Sequence, residues 1–68
     1  LEAARAAGDW IFAQFKLDEI VSLIHADNIA SAKLAQRLGM RVRGETLHAG
    51  MVHHIWEISR QDWRARGP

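Results

Sequence analysis

The chain has 68 residues, 9 Lys and Arg against 8 Asp and Glu, four His, and a formal net charge of +1. That length allows one small domain, and a balance this even does not by itself point to nucleic acid. Apolar residues at 49% exclude a disordered tail, and the lack of Cys excludes disulfides, zinc–thiolate sites and a thiol nucleophile.

No apolar run approaches the ~18 residues of a membrane span, and no basic start followed by an apolar block marks a secretory signal. Cytoplasm is the default compartment. A chain this short, without disulfides, is expected to fold marginally or to bury further surface against something else.

Helical spacing of Ala4, Ala7, Ile11 and Phe15 predicts a first helix over Leu1 to Phe15, with Gly8 thinning one side for close approach to a sheet. No cap precedes Leu1, and Leu1 is not Met, so the chain reads as a segment of a larger domain. Glu19 to His25 alternates Ile20 and Ile24 against Val21 and Leu23, which predicts an interior strand covered on both faces.

Ala26, Asp27 and Asn28 form a loop. The Asn28 side-chain oxygen is placed to accept a free N–H at the start of a second helix, Ile29 to Leu38. Ala30, Leu34, Ala35 and Leu38 form its apolar stripe, and Gly39 ends it in the left-handed conformation. A second strand runs from Met40 to Leu47, with Gly44 marking a bulge or a close backbone neighbour.

Ala49-Gly50 turns the chain into a third strand, Met51 to Ser59, and the two strands make an antiparallel hairpin. Asp62 and Trp63 begin a short terminal turn, and Arg64, Arg66, Gly67 and Pro68 read as frayed. The order helix-strand-helix-strand-strand predicts an α/β (α+β) fold in which helices pack on a mixed sheet.

One alternative reads Ser31 to Met40 as the first half of a helix-turn-helix DNA-binding module. It requires a recognition helix from Arg41 onward. Gly44 and the alternation after it oppose that, and only Arg37, Arg41 and Arg43 supply basic charge, so nucleic acid is not an expected partner.

The stretch His25-Ala26-Asp27-Asn28-Ile29-Ala30-Ser31, followed by Leu34-Ala35-Gln36-Arg37-Leu38-Gly39-Met40, resembles the second half of the GNAT acetyltransferases. Within them it is most similar to the ribosomal-protein N-acetyltransferases. Gly44, the hairpin and Trp63 follow at the family's intervals, and Glu2-Ala3 with Trp10-Ile11-Phe12 fit the helix after the family's pyrophosphate loop. The resemblance covers the whole chain, residues 1–68, as a single partial domain. The Gly-rich loop itself, which holds cofactor phosphates at a helix N-terminus, has no counterpart in these residues.

The resemblance implies transfer of an acetyl group from acetyl-CoA, as co-substrate, to a primary amine such as a protein N-terminus. It implies that Asn28 hydrogen-bonds the pantetheine arm and that Ser31 assists the leaving thiolate. Many members carry a Tyr seven residues after that Asn. Ala35 stands there, and the chain contains no Tyr, which favours the Ser-based subgroup.

Acyl transfer to an amine also needs a proton acceptor. Glu45, His48, His53 and Glu57 lie on the hairpin strands, and His48 is the choice among them. A metal site from His48, His53 and His54 is not expected, because His53 and His54 point to opposite faces of one strand. A non-catalytic reading stands beside the enzyme: a half-domain exposes sheet edges and helix faces that pairing of two copies would cover.

Overall fold

A computed structural model describes residues 1–65. Its elements run α1 (Glu2–Gln14), β1 (Glu19–His25), α2 (Ile29–Arg37), β2 (Arg41–His48), β3 (Met51–Ser59) and α3 (Arg60–Ala65). Arg66, Gly67 and Pro68, read from sequence as frayed, lie outside the described residues; Arg64 belongs to α3.

Local chemistry sets most of these boundaries. Alanine-rich α1 needs no side-chain cap and has none at Leu1. At the end of α2, Gly39 takes φ +90°, its N–H reaches Gln36 O at 3.0 Å, and Met40 N–H reaches Ala35 O at 3.0 Å. Those two bonds satisfy carbonyls that a helix end leaves open.

Ala49 at φ +53° and Gly50 at φ +76° form the two-residue turn between β2 and β3, whose twist matches the flanking strands. α3 starts earlier than the expected terminal turn, because the Ser59 hydroxyl accepts the Asp62 N–H at 3.0 Å and caps it.

The fold class is α+β, as the element order implies, but the sheet is not mixed. Its order is β1-β3-β2, and both pairings are antiparallel. β3 returns between the other two, so among the described residues β1 and β2 share no ladder and no parallel pairing forms. β1 is consequently an edge strand, not the expected interior one, and its outward face leaves Val21 41% and Leu23 46% exposed. The register shift between Val42 and Gly44 is the expected bulge, whereas a Cβ at Gly44 would meet nothing within 4 Å, so no close neighbour requires that glycine. Residues from Arg41 onward form a strand, which removes the helix-turn-helix reading.

The core joins Phe12, Leu38, Ile58 and Trp63, with Ala4, Ile20 and Met40 packed against it. All three helices therefore meet the face of the sheet that carries Ile20 and Ile58. The buried stripe of α1 runs through Gly8 and Phe12, not through Ala7 and Phe15; Phe15 is exposed and meets Trp10 edge-on at 6.0 Å. On α2, Ala35 and Leu38 are buried, while Ala30 and Leu34 face outward.

Gly8 serves a different neighbour from the one expected. A Cβ built there would overlap the six-membered ring of Trp63, so the thin side of α1 admits α3 and not the sheet. Trp63 then packs on Phe12 at 5.9 Å and donates its Nε1–H to Asp9 at 2.6 Å.

Arg60 fixes the exit of α1. Its guanidinium donates to the carbonyls of Phe12 at 2.6 Å, Phe15 at 2.7 Å and Leu17 at 2.9 Å, and it lies 5.0 Å over the Phe12 ring. Its backbone N–H also reaches Asp18 O at 2.7 Å. Among the described residues no helix is long and apolar enough to cross a membrane.

Candidate active site

The turn from β1 into α2 brings two polar side chains to one groove. Asn28 is the N-cap: its Oδ1 accepts the Ser31 N–H at 3.1 Å, and its own N–H reaches His25 O at 2.9 Å. The cap occupies only the oxygen end of the amide, so among the described residues Nδ2 has no partner. The Ser31 hydroxyl is likewise unengaged among them, and it sits in the first turn, where the helix dipole favours negative charge.

Both side chains line a cavity of about 300 Å³ between α2 and the free edge of β1, walled by Leu23, Ile24, Leu34 and Ala35. Among the described residues β1 pairs only with β3, so its other edge has no ladder partner. An apolar cleft with a few placed donors and an open strand edge suits a slender chain containing amides.

The histidines divide between the two faces of the sheet. His53 stands opposite His25 on β1 and beside His48 on β2, with ring centroids 5.2 Å apart in each case. His54 pairs with Ile24 and Glu45 and faces the other way. The structure thus brings His48 and His53 together, separates His54, and adds His25. Sequence reasoning placed His25 only within the motif before Asn28. Finding its neighbours needed the β1–β3 register, which alternation within one strand does not supply. Glu57 lies toward the opposite end of the His53 face, where Arg43 bridges it at 3.4 Å and Glu19 at 3.1 Å. Glu45 is exposed on the face opposite His53.

Hydrogen bonds select the neutral tautomer of two imidazoles. His53 Nδ1 lies 3.0 Å from the Met51 carbonyl, which can only accept, so in the neutral ring Nδ1 carries the proton and Nε2 the lone pair. His25 has the reverse arrangement. Its Nδ1 accepts the Asp27 N–H at 3.0 Å, and its Nε2–H points at the Met51 sulfur at 3.0 Å. A metal at His25 Nε2 would need the proton moved to Nδ1, against the Asp27 N–H. Among the described residues no three His, Asp or Glu side chains form a metal-ligand set.

The family model for the acetyltransferase (GNAT) domain matches residues 1–41. The chain belongs to the GNAT acetyltransferase family. The match spans α1, β1 and α2 and so includes Asn28 and Ser31, while the hairpin with His48 and His53 lies beyond it. GNAT membership carries acyl transfer as the general chemistry. No curated protein matches the chain.

Proposed function

We propose that this chain acts in transfer of an acetyl group from acetyl-CoA to a primary amine, with a protein N-terminus as an acceptor of the right chemistry. The observation that carries the reading is that Asn28 and Ser31 line one groove together with residues of β1, an edge strand among the described residues.

In this reading the pantetheine arm lies along the groove. Its amides meet the β1 edge and Asn28 Nδ2, and its apolar segments meet Leu23 and Leu34. Ser31 Oγ faces the departing thiolate and supplies a hydrogen bond, and the N-terminus of α2 stabilises the charge that develops there. The acceptor ammonium must lose a proton before it attacks, and the histidines at the hairpin end, His48 among them, are the groups suited to take it.

Calorimetric titration of the chain with acetyl-CoA tests the reading. Saturable binding is expected, weakened in Asn28→Ala and Ser31→Ala. A folded chain that takes up no acetyl-CoA overturns it.

The two free strand edges also suit pairing of two copies, which is compatible with the enzyme reading. A melting temperature that rises with protein concentration is the expected sign of it.

A further inference from the structure

We propose that His25 is a positioning residue for Asn28 and serves only as the neutral imidazole, so that acetyl-CoA is held less well as the pH falls; the assignment rests on the acetyl-transfer reading above.

Asn28 reaches the groove from a tight turn over residues 25–28, and each backbone N–H from Ala26 to Asn28 has an acceptor there. Ala26 N–H reaches Val52 O at 3.0 Å, and Asn28 N–H reaches His25 O at 2.9 Å. The N–H between them, that of Asp27, goes to the His25 ring at Nδ1, 3.0 Å away. His25 therefore closes the turn twice, once with its carbonyl and once with its side chain. Asn and Asp side chains stabilise turns by accepting the N–H two residues on, and here an imidazole nitrogen takes that place.

The His25 ring stands on the sheet face that carries His53 and does not line the groove; it reaches Asn28 through the backbone of this turn. The ring is half-buried and held on its far side. Its Nε2–H points at the Met51 sulfur at 3.0 Å, and it meets His53 edge-on at 5.2 Å. With Nε2 already donating, Nδ1 is the atom that takes a second proton.

In the imidazolium both nitrogens are donors. Nδ1–H would then confront the Asp27 N–H, and the turn would lose that bond. The closed turn thus binds one proton fewer than the opened one, so acid favours opening. The groups around His25 offer the charged ring no other hold. His53 from β3, with His48 beyond it from β2, can only add positive charge. Asp27, in the turn itself, makes no ion pair through its carboxylate. Among the described residues the ion pairs are those of Arg43 with Glu19 and Glu57, toward the other end of this face.

Calorimetric titration with acetyl-CoA is made on wild type, His25→Asn and His25→Ala at about pH 7.5 and about pH 5.5, within the span over which histidine changes charge. His25→Asn keeps an acceptor for the Asp27 N–H but takes up no proton. Between the two pH values wild type is expected to weaken about three- to tenfold more than His25→Asn, the worth of one hydrogen bond. That comparison cancels the titration of the cofactor's own phosphates. His25→Asn is expected to match wild type at the higher pH, and His25→Ala to bind weakly at both.

Equal pH dependence in wild type and His25→Asn, or full binding by His25→Ala at both pH values, overturns the assignment and leaves the acetyl-transfer reading standing. A folded wild type that takes up no acetyl-CoA at either pH overturns that reading. NMR then reads the turn without ligand. At the higher pH the His25 ring is expected to carry its proton on Nε2, and the Asp27 amide signal to move on acidification in wild type but not in His25→Asn. A neutral ring protonated on Nδ1, or an Asp27 amide that acid leaves unmoved, overturns the role given to His25.

Discussion

The side-chain oxygen of Asn28 accepts the backbone N–H of Ser31 at 3.1 Å, so one residue both starts α2 and sets the position of the other. The observed capping role and the proposed ligand-binding role therefore sit on different atoms of the same amide. Asn28→Ala removes both and should cost about 1 kcal/mol of stability. Asn28→Asp keeps the capping oxygen but loses the N–H donor. It should melt close to wild type while acetyl-CoA binding falls about tenfold, the loss of one hydrogen bond. Paired thermal melts and calorimetry separate the two effects, and equal binding by wild type and Asn28→Asp would remove the amide donor from the site.

Gly8 and Trp63 form a second coupled pair. In an isolated helix Gly→Ala is favourable by about 1 kcal/mol. Here the new Cβ would overlap the Trp63 ring, so Gly8→Ala should destabilise the chain by about 1–3 kcal/mol. In a Trp63→Leu background the obstruction is gone and the same substitution should become neutral or stabilising. Urea denaturation of the four variants of that cycle reads the change of sign.

Arg60 should not tolerate Lys. Its guanidinium reaches three carbonyls at the end of α1 and below it, a fork that one ammonium cannot reproduce. Arg60→Ala is expected to cost about 2–4 kcal/mol, given charge-assisted bonds of about 1.5–3 kcal/mol each and incomplete additivity. Arg60→Lys should recover less than half of that. Amide exchange should quicken first at Phe12 to Leu17, and an unchanged exchange pattern would count against the clamp.

The hairpin turn offers a stabilising change. Ala49 holds φ +53°, a conformation that costs a Cβ-bearing residue about 1 kcal/mol. Ala49→Asn or Ala49→Gly suits that position and should raise stability by about 0.5–1 kcal/mol. A lowered melting temperature in both variants would contradict the turn geometry.

Local rules act over a few residues, and that part of the molecule was legible before any fold. Asn28 before an apolar stripe, Gly39 after it, Gly44 within a strand and Ala49-Gly50 between two strands each specify a cap, a stop, a bulge or a turn. Each depends on the conformational range of one residue and on hydrogen bonds to near neighbours. The motif from His25 to Met40 was equally legible, because the residues that share the groove lie close together in the chain.

Strand order was not legible. β3 pairs with both other strands, and nothing in the alternation of β1 distinguishes an edge from an interior position. Apolar residues on both faces are compatible with either, so β1 was expected inside the sheet. The buried face of α1 is not legible for a related reason: Ala7 and Phe15 fit helical spacing as well as Gly8 and Phe12 do, and Trp63, 55 positions after Gly8, selects between them.

The sequence by itself determined the helices, strands, caps and turns and the Asn28–Ser31 motif, since those follow from interactions within a few residues. Tertiary structure alone decided that His25, Met51 and His53 meet, and which imidazole nitrogen is left free. That outcome depends on the antiparallel register of β1 against β3, which is set by the packing of Ile20, Ile58, Phe12 and Trp63 across distant parts of the chain.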